Sequence, residues 1–168
     1  MPNTEIELNP VDFITVGTIG PKGQRVFYLQ AGKDNQVVSL IIEKEQAWAL
    51  SEAIKELLED VEQRKPERTP TQEELQGMDM DLREPIDPLF RVAQMGLGFD
   101  EDRNMIVLVA TEILAVDSEE EFEELEPGVV RMWCSRLQMR VLIDHAAEIV
   151  QAGRADPRQN GRVVYYWT

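Results

Sequence analysis

The change of hydrophobic period along this chain constrains its fold more than any other feature. Three short β-branched segments, at 13–19, 25–31 and 37–43, follow one another across polar turns at Gly20-Pro21-Lys22-Gly23 and Lys33-Asp34-Asn35-Gln36. Segments of that kind read as strands and turns that short as hairpins, which predicts an antiparallel meander. The period then becomes helical. Ala47, Leu50, Ile54, Leu57, Leu58 and Val61 recur with Glu52, Lys55, Glu56, Glu59 and Asp60 between them. This predicts an amphipathic helix over 44–64, ended by Pro66.

The same order then returns. Strands are expected at 89–99, 105–116 and 129–134, and a second amphipathic helix at 137–152 with Val141, Leu142, His145, Ile149 and Ala152 on one face. Gly17 matches Gly96 at a shift of 79, and Ile41, Leu50 and Leu58 match Met132, Val141 and Ile149 at a shift of 91. The difference of 12 is close to the 11 residues from Asp117 to Pro127, which read as an insertion in the second copy. The expected architecture is α+β: two tandem βββα units forming a mostly antiparallel sheet with two helices packed on one face. One domain of two pseudo-repeats, 11–64 and 89–153, is joined by a charged Pro-rich linker at 65–88. The linker holds a short helical turn at 71–75, where Thr71 and Glu74 form a capping box. Residues 154–168 form an aromatic tail.

Charge sharpens the division. The net charge is -15, and residues 51–128 hold 23 acids against 7 bases. The densest run is 117–126. Residues 129–168 are mildly basic, with 6 bases against 3 acids. Such acidity argues against nucleic acid and anionic membranes as partners. Cys134 is the only cysteine, which rules out an internal disulfide and a thiolate-rich metal site. No apolar run approaches the ~20 residues needed to span a bilayer. The N-terminus does not read as a signal peptide, so a cytoplasmic location is expected.

The glycine-rich hairpin Gly17-Thr18-Ile19-Gly20-Pro21-Lys22-Gly23 with the following Arg25-Val26-Phe27-Tyr28 is distinctive. So are Glu43-Lys44-Glu45-Gln46-Ala47, Ala152-Gly153-Arg154 and Pro157-Arg158-Gln159-Asn160-Gly161. Together they resemble a family of uncharacterised bacterial proteins, a domain of unknown function found in actinobacteria and related phyla. Members of that family usually carry a zinc-knuckle-like Cys-x-x-Cys…His-x-Cys segment between the Gly-Arg and the Pro-Arg-x-Asn-Gly. Here only Ala155 and Asp156 lie between them. The resemblance therefore implies that the role of this chain does not rest on zinc. Genes for histidine-phosphatase-like and kinase-like proteins often neighbour the family, which implies a phosphoryl-transfer context.

No residue is expected to be catalytic and no cofactor or metal is expected. His145, on an apolar helix face, reads as structural. Adjacent Asp144 points elsewhere on a helix, so His145 lacks an orienting acid. Cys134, beside Trp133 at a strand end, reads as a small core hydrophobe. Two functional readings follow. In the first, the chain is a non-enzymatic interaction or adaptor module for a protein partner. Its contacts are Glu121, Phe122, Glu124 and Leu125 in the acidic run and Tyr165, Tyr166 and Trp167 in the tail, which also offers a surface for a homo-oligomer. In the second, the chain is a phosphate-ester or nucleotide-binding enzyme whose cleft gathers Arg25, Arg154, Arg158 and Arg162.

Overall fold

A computed structural model describes residues 4–114 and 126–152. Glu121, Phe122, Glu124, Leu125, Arg154, Arg158, Arg162, Tyr165, Tyr166 and Trp167 lie outside the described residues. Among the described residues seven strands and three helices follow in the order β1 (Glu5–Leu8), β2 (Phe13–Ile19), β3 (Val26–Lys33), β4 (Gln36–Ile42), α1 (Lys44–Arg64), α2 (Gln72–Gln76), β5 (Pro88–Asp100), β6 (Met105–Glu112), β7 (Val129–Cys134) and α3 (Arg136–Ala152).

The strands form one sheet in the order β1-β7-β6-β5-β4-β3-β2. It is mixed, which corrects the expectation of a mostly antiparallel sheet. β2-β3-β4 and β5-β6-β7 are antiparallel, but β4 pairs with β5 and β1 with β7 in parallel. The physical reason lies in the connections. A hairpin reverses the chain, whereas the α1 crossover between β4 and β5 returns it in the same direction. β1 is a strand the hydrophobic pattern did not single out, and α2 forms at the helical turn expected at 71–75.

β1 and β2 stand at opposite ends of the strand order, yet only residues 9–12 join them. In a flat sheet those ends would be six strand spacings apart, about 29 Å. The five peptide steps from Leu8 to Phe13 span at most about 18 Å. The sheet therefore rolls until its ends meet. At the join, Val11 N donates to Trp133 O (2.8 Å) and Asp12 N to Gly32 O (2.7 Å).

Inside the roll, Leu29, Leu40, Ile42, Ile106, Leu108 and Met132 pack against the apolar stripes of α1 and α3. The stripes are Ala47, Leu50, Ile54 and Leu58 on α1 and Met139, Leu142, Ala146 and Val150 on α3. They correspond at a separation of 92, which moves the helix register one residue from the expected 91. Both helices begin with the same device. Gln46 Oε1 accepts from Glu43 N (2.7 Å), and Gln138 Oε1 accepts from Ser135 N (2.8 Å). Each amide then donates to a backbone carbonyl beyond the helix, Gln46 Nε2 to Val92 O of β5 (3.1 Å) and Gln138 Nε2 to Val11 O in the β1–β2 connection (3.1 Å). α1 thus lies beside β5 and α3 beside β2.

The outer faces differ. On β2-β3-β4 the buried polar residues Thr15, Gln30 and Ser39 receive the end of the linker. Thr15 Oγ1 donates to Met80 O (2.6 Å), Gln30 Nε2 to Arg83 O (2.9 Å), and Arg83 N to Gln30 Oε1 (2.7 Å). Leu82 sits where a side chain at Gly17 would be: a Cβ there would come within 2.5 Å of Leu82 Cγ. On β5-β6-β7 the outward residues Val107, Val109, Val129 and Trp133 remain half-buried.

Candidate functional site

Cys134 lies in the core, its thiol pushed up by burial, with Sγ directed at Met132 O (3.6 Å). A thiol so placed is a packing group, since reactivity needs the exposed thiolate. His145 is half-buried on α3. Arg25 Nη1 donates to Ala152 O, the carbonyl of the last residue of α3 (3.1 Å). A cation at a helix C-terminus is favoured by the helix dipole. Of the four arginines considered for phosphate, Arg25 alone is among the described residues.

The densest charge cluster of the described residues forms where α1 ends and α3 begins. Arg136 is only 4 % exposed. Its Nη1 donates to Lys65 O (2.8 Å) and its Nε to Asn104 Oδ1 (2.9 Å). Glu62 and Glu67 approach it at 3.4 and 3.3 Å. A buried guanidinium is tolerated only when its donors are met and its charge is countered. Here the partners come from α1, the start of the linker and the β5–β6 turn, so Arg136 ties three segments to the first turn of α3. Arg140, one helical turn on, also reaches Glu62 (3.6 Å).

Beside this cluster a groove of about 750 Å³ opens between α1, α3 and the linker. Leu58, Pro70, Leu75 and Ile143 supply its apolar surface, and Lys55, Glu59, Glu62, Arg140 and Asp144 its charged rim. α2 forms one wall, held by a compact clamp. Thr71 Oγ1 accepts from Glu74 N (3.1 Å), and the Glu74 carboxylate reaches back to Thr71 N (3.1 Å), which is the expected capping box. Arg68 grips both oxygens of Glu74, each at 2.7 Å. The Arg68 guanidinium, then the Thr71 amide, hold the Glu74 carboxyl at about 2, well below the usual carboxylate range. Arg68 is raised in turn by the same hydrogen bond.

Sequence reasoning did not single out this groove. Lys55 and Glu59 read as part of the polar face of α1, although with Glu62 their spacing of four and three places them on one side of the helix. Arg136 carried no signal of its own, because its partners are distant in sequence.

The chain belongs to a family of proteins of unknown function (DUF3090), whose model matches residues 6–159. This agrees with the resemblance carried by the glycine-rich hairpin. Comparison with curated proteins finds no match, and comparison with solved structures finds none either. Among the described residues no helix is long and apolar enough to cross a membrane.

Proposed function

We propose that the chain is a non-enzymatic protein-interaction module, and that the groove between α1, α2 and α3 seats a helical segment of a partner. The observation that carries this reading is the groove's make-up. An apolar strip of Leu58, Pro70, Leu75 and Ile143 is edged by charges of both signs. An amphipathic helix presents the complement, an apolar stripe at i, i+3, i+4 and i+7 with charges on its flanks. The acidic run 117–126 adds long-range attraction for a basic partner, which raises the association rate more than the final affinity. The matching cap glutamines Gln46 and Gln138 support reading the two βββα halves as copies of one unit.

The test is co-purification from the native cell with mass spectrometry of the bound species. A stoichiometric protein partner is expected, and Leu75→Asp or Ile143→Asp should reduce its recovery at least about tenfold, equivalent to ~1.4 kcal/mol. Both residues are half-buried at the surface, so circular dichroism should still report a folded chain. Undiminished recovery with both variants would overturn the reading. Recovery of a phosphorylated small molecule in place of a protein would turn the assignment to the phosphate-binding alternative.

A further inference from the structure

A second groove, of about 320 Å³, runs between the first half of α1 and β5. It exists because β5 changes neighbours. Residues 88–91 pair with β4, and from Val92 to Asp100 the strand pairs with β6 on its other side. Among the described residues no strand pairs with 92–100 along the α1 side. Gln46 caps the first carbonyls there, with Nε2 reaching Val92 O and Ala93 O (3.1 and 3.4 Å). Beyond them the edge faces Ala49 and Ala53 of α1, and Ala93, Met95, Gly96 and Leu97 form the strand side.

The other half of the molecule shows why this space is open. At the separation of 92 that matches Gln46 to Gln138, Ala49 corresponds to Val141 and Ala53 to His145. Val141 is 8 % exposed and His145 half-buried. Two small side chains on α1 stand where α3 carries two larger ones, and the strand edge beside α1 is left accessible. An exposed edge next to a helix is the geometry into which an extended segment adds as a further strand.

We propose that the occupant is residues 162–168 of this chain, added to the free edge of β5. Three observations favour it. Val163, Val164, Tyr165, Tyr166 and Trp167 form a run of strand-favouring residues. The residues leading into the run carry Arg154, Arg158 and Arg162, whereas the α1 side of the groove is acidic. Glu45 precedes Ala49 by one helical turn and Glu56 follows Ala53 on the same face, both exposed, while Asp60 a turn further on pairs with Arg64 (3.1 Å). The reach also suffices. Arg136 at the start of α3 bonds Lys65 at the end of α1, so the helices run antiparallel and Ala152 lies at the end where α1 begins. The ten residues 153–162 extend to about 33 Å, and α1 is about 10 Å across. The inference is independent of the partner groove.

Amide hydrogen exchange on the full chain tests it. Amides of residues 163–167 should exchange roughly a hundredfold more slowly than in an unstructured peptide. Ala53→Arg, which fills the groove and repels the basic leader, should reduce that protection at least about tenfold. Ala49→Lys is the second variant. Both positions are exposed on α1, and an unchanged far-ultraviolet circular dichroism spectrum with unchanged exchange of the core strand amides shows that the fold is intact. Random-coil exchange of 163–167 in the unmodified chain overturns the proposal, and so does protection that neither variant alters. Protection that falls on dilution, with a dimer seen by light scattering, assigns the segment to a second copy and also overturns it.

Discussion

The two seams between helix and strand start alike and finish differently. α1 meets β5 and α3 meets the approach to β2 through the same cap glutamine, bonded to its own helix start and to a backbone carbonyl, Val92 O in β5 and Val11 O just before β2. Past that point Phe13 to Gly17 of β2 are all buried, while Gln94 and Gly96 of β5 are exposed and Met95 and Leu97 half-buried. The backbone device is shared, so it does not decide which seam closes. The cover does: the linker lies over the outer face of β2 through Met80 and Leu82, and α3 carries Val141 and His145 where α1 carries Ala49 and Ala53. The covering of the sheet follows the same division, with the linker laid over β2-β3-β4 and the outer face of β5-β6-β7 half-open.

The sharpest way to break this comparison is to cut equivalent core residues. Leu142 is fully buried at the closed seam, and Leu50 is 4 % exposed and lines the open groove. Leucine-to-alanine changes in a core cost about 2–5 kcal/mol, more where the site cannot collapse. Leu142→Ala should therefore fall near ~4–5 kcal/mol and Leu50→Ala near ~2–3 kcal/mol, measured by urea denaturation. Equal costs would mean that the open groove relieves nothing.

Next comes the strap over the first half-sheet. Gly17→Val should force Leu82 off its seat, since even a Cβ at that position lies 2.5 Å from Leu82 Cγ. Overpacking of this kind costs about 1–3 kcal/mol. Gly96 has no atom within 4 Å of the same ideal Cβ position, so Gly96→Val should leave stability within about 0.5 kcal/mol. Thermal unfolding of the pair contrasts a covered strand with an uncovered one.

A smaller effect tests what the seams share. Gln46→Ala and Gln138→Ala each remove an acceptor for a helix-start amide and a donor to a backbone carbonyl, of Val92 and of Val11 respectively. Each should cost about 1–2 kcal/mol, by similar amounts. A large inequality would show that the two caps are alike in geometry alone.

How much of this the residues disclosed beforehand depends on whether a feature leaves a period. β2, β7 and α1 were legible with their bounds because alternation and helical spacing are local. The helix register came out one residue short because Val141 and Ile149 are apolar neighbours of Leu142 and Val150, and either pair satisfies the pattern. β1 was not legible. Glu5-Ile6-Glu7-Leu8 is four residues long with two carboxylates, and its partner β7 lies more than a hundred residues away. The parallel pairing of β4 with β5 depends on where a long crossover lands, which no local pattern encodes. Arg136 is buried by partners from three segments, so nothing around it in sequence distinguishes it from a surface arginine. The groove beside β5 arises from alanines, which in a helix look like ordinary helix formers.

The gentlest prediction concerns the wall of the large groove, where the seam is formed by α2 rather than by a strand. Arg68 and the Thr71 amide lower the Glu74 carboxyl to about 2. A carboxyl whose folded value lies below its unfolded one adds stability that is present in full above the unfolded value and is lost as pH falls through the folded one. The α2 clamp should therefore hold at pH 5, weaken progressively below pH 4 and be gone near pH 2. NMR titration of Glu74 should show a midpoint near 2, and Arg68→Ala should return it toward the usual carboxylate range near 4. Glu74 is set in exposed surroundings, so salt screens the Arg68 attraction and the midpoint should rise with ionic strength. A midpoint near 4 in the unmodified chain would mean that the clamp is not closed in solution, and that the wall formed by α2 is free to move against α3.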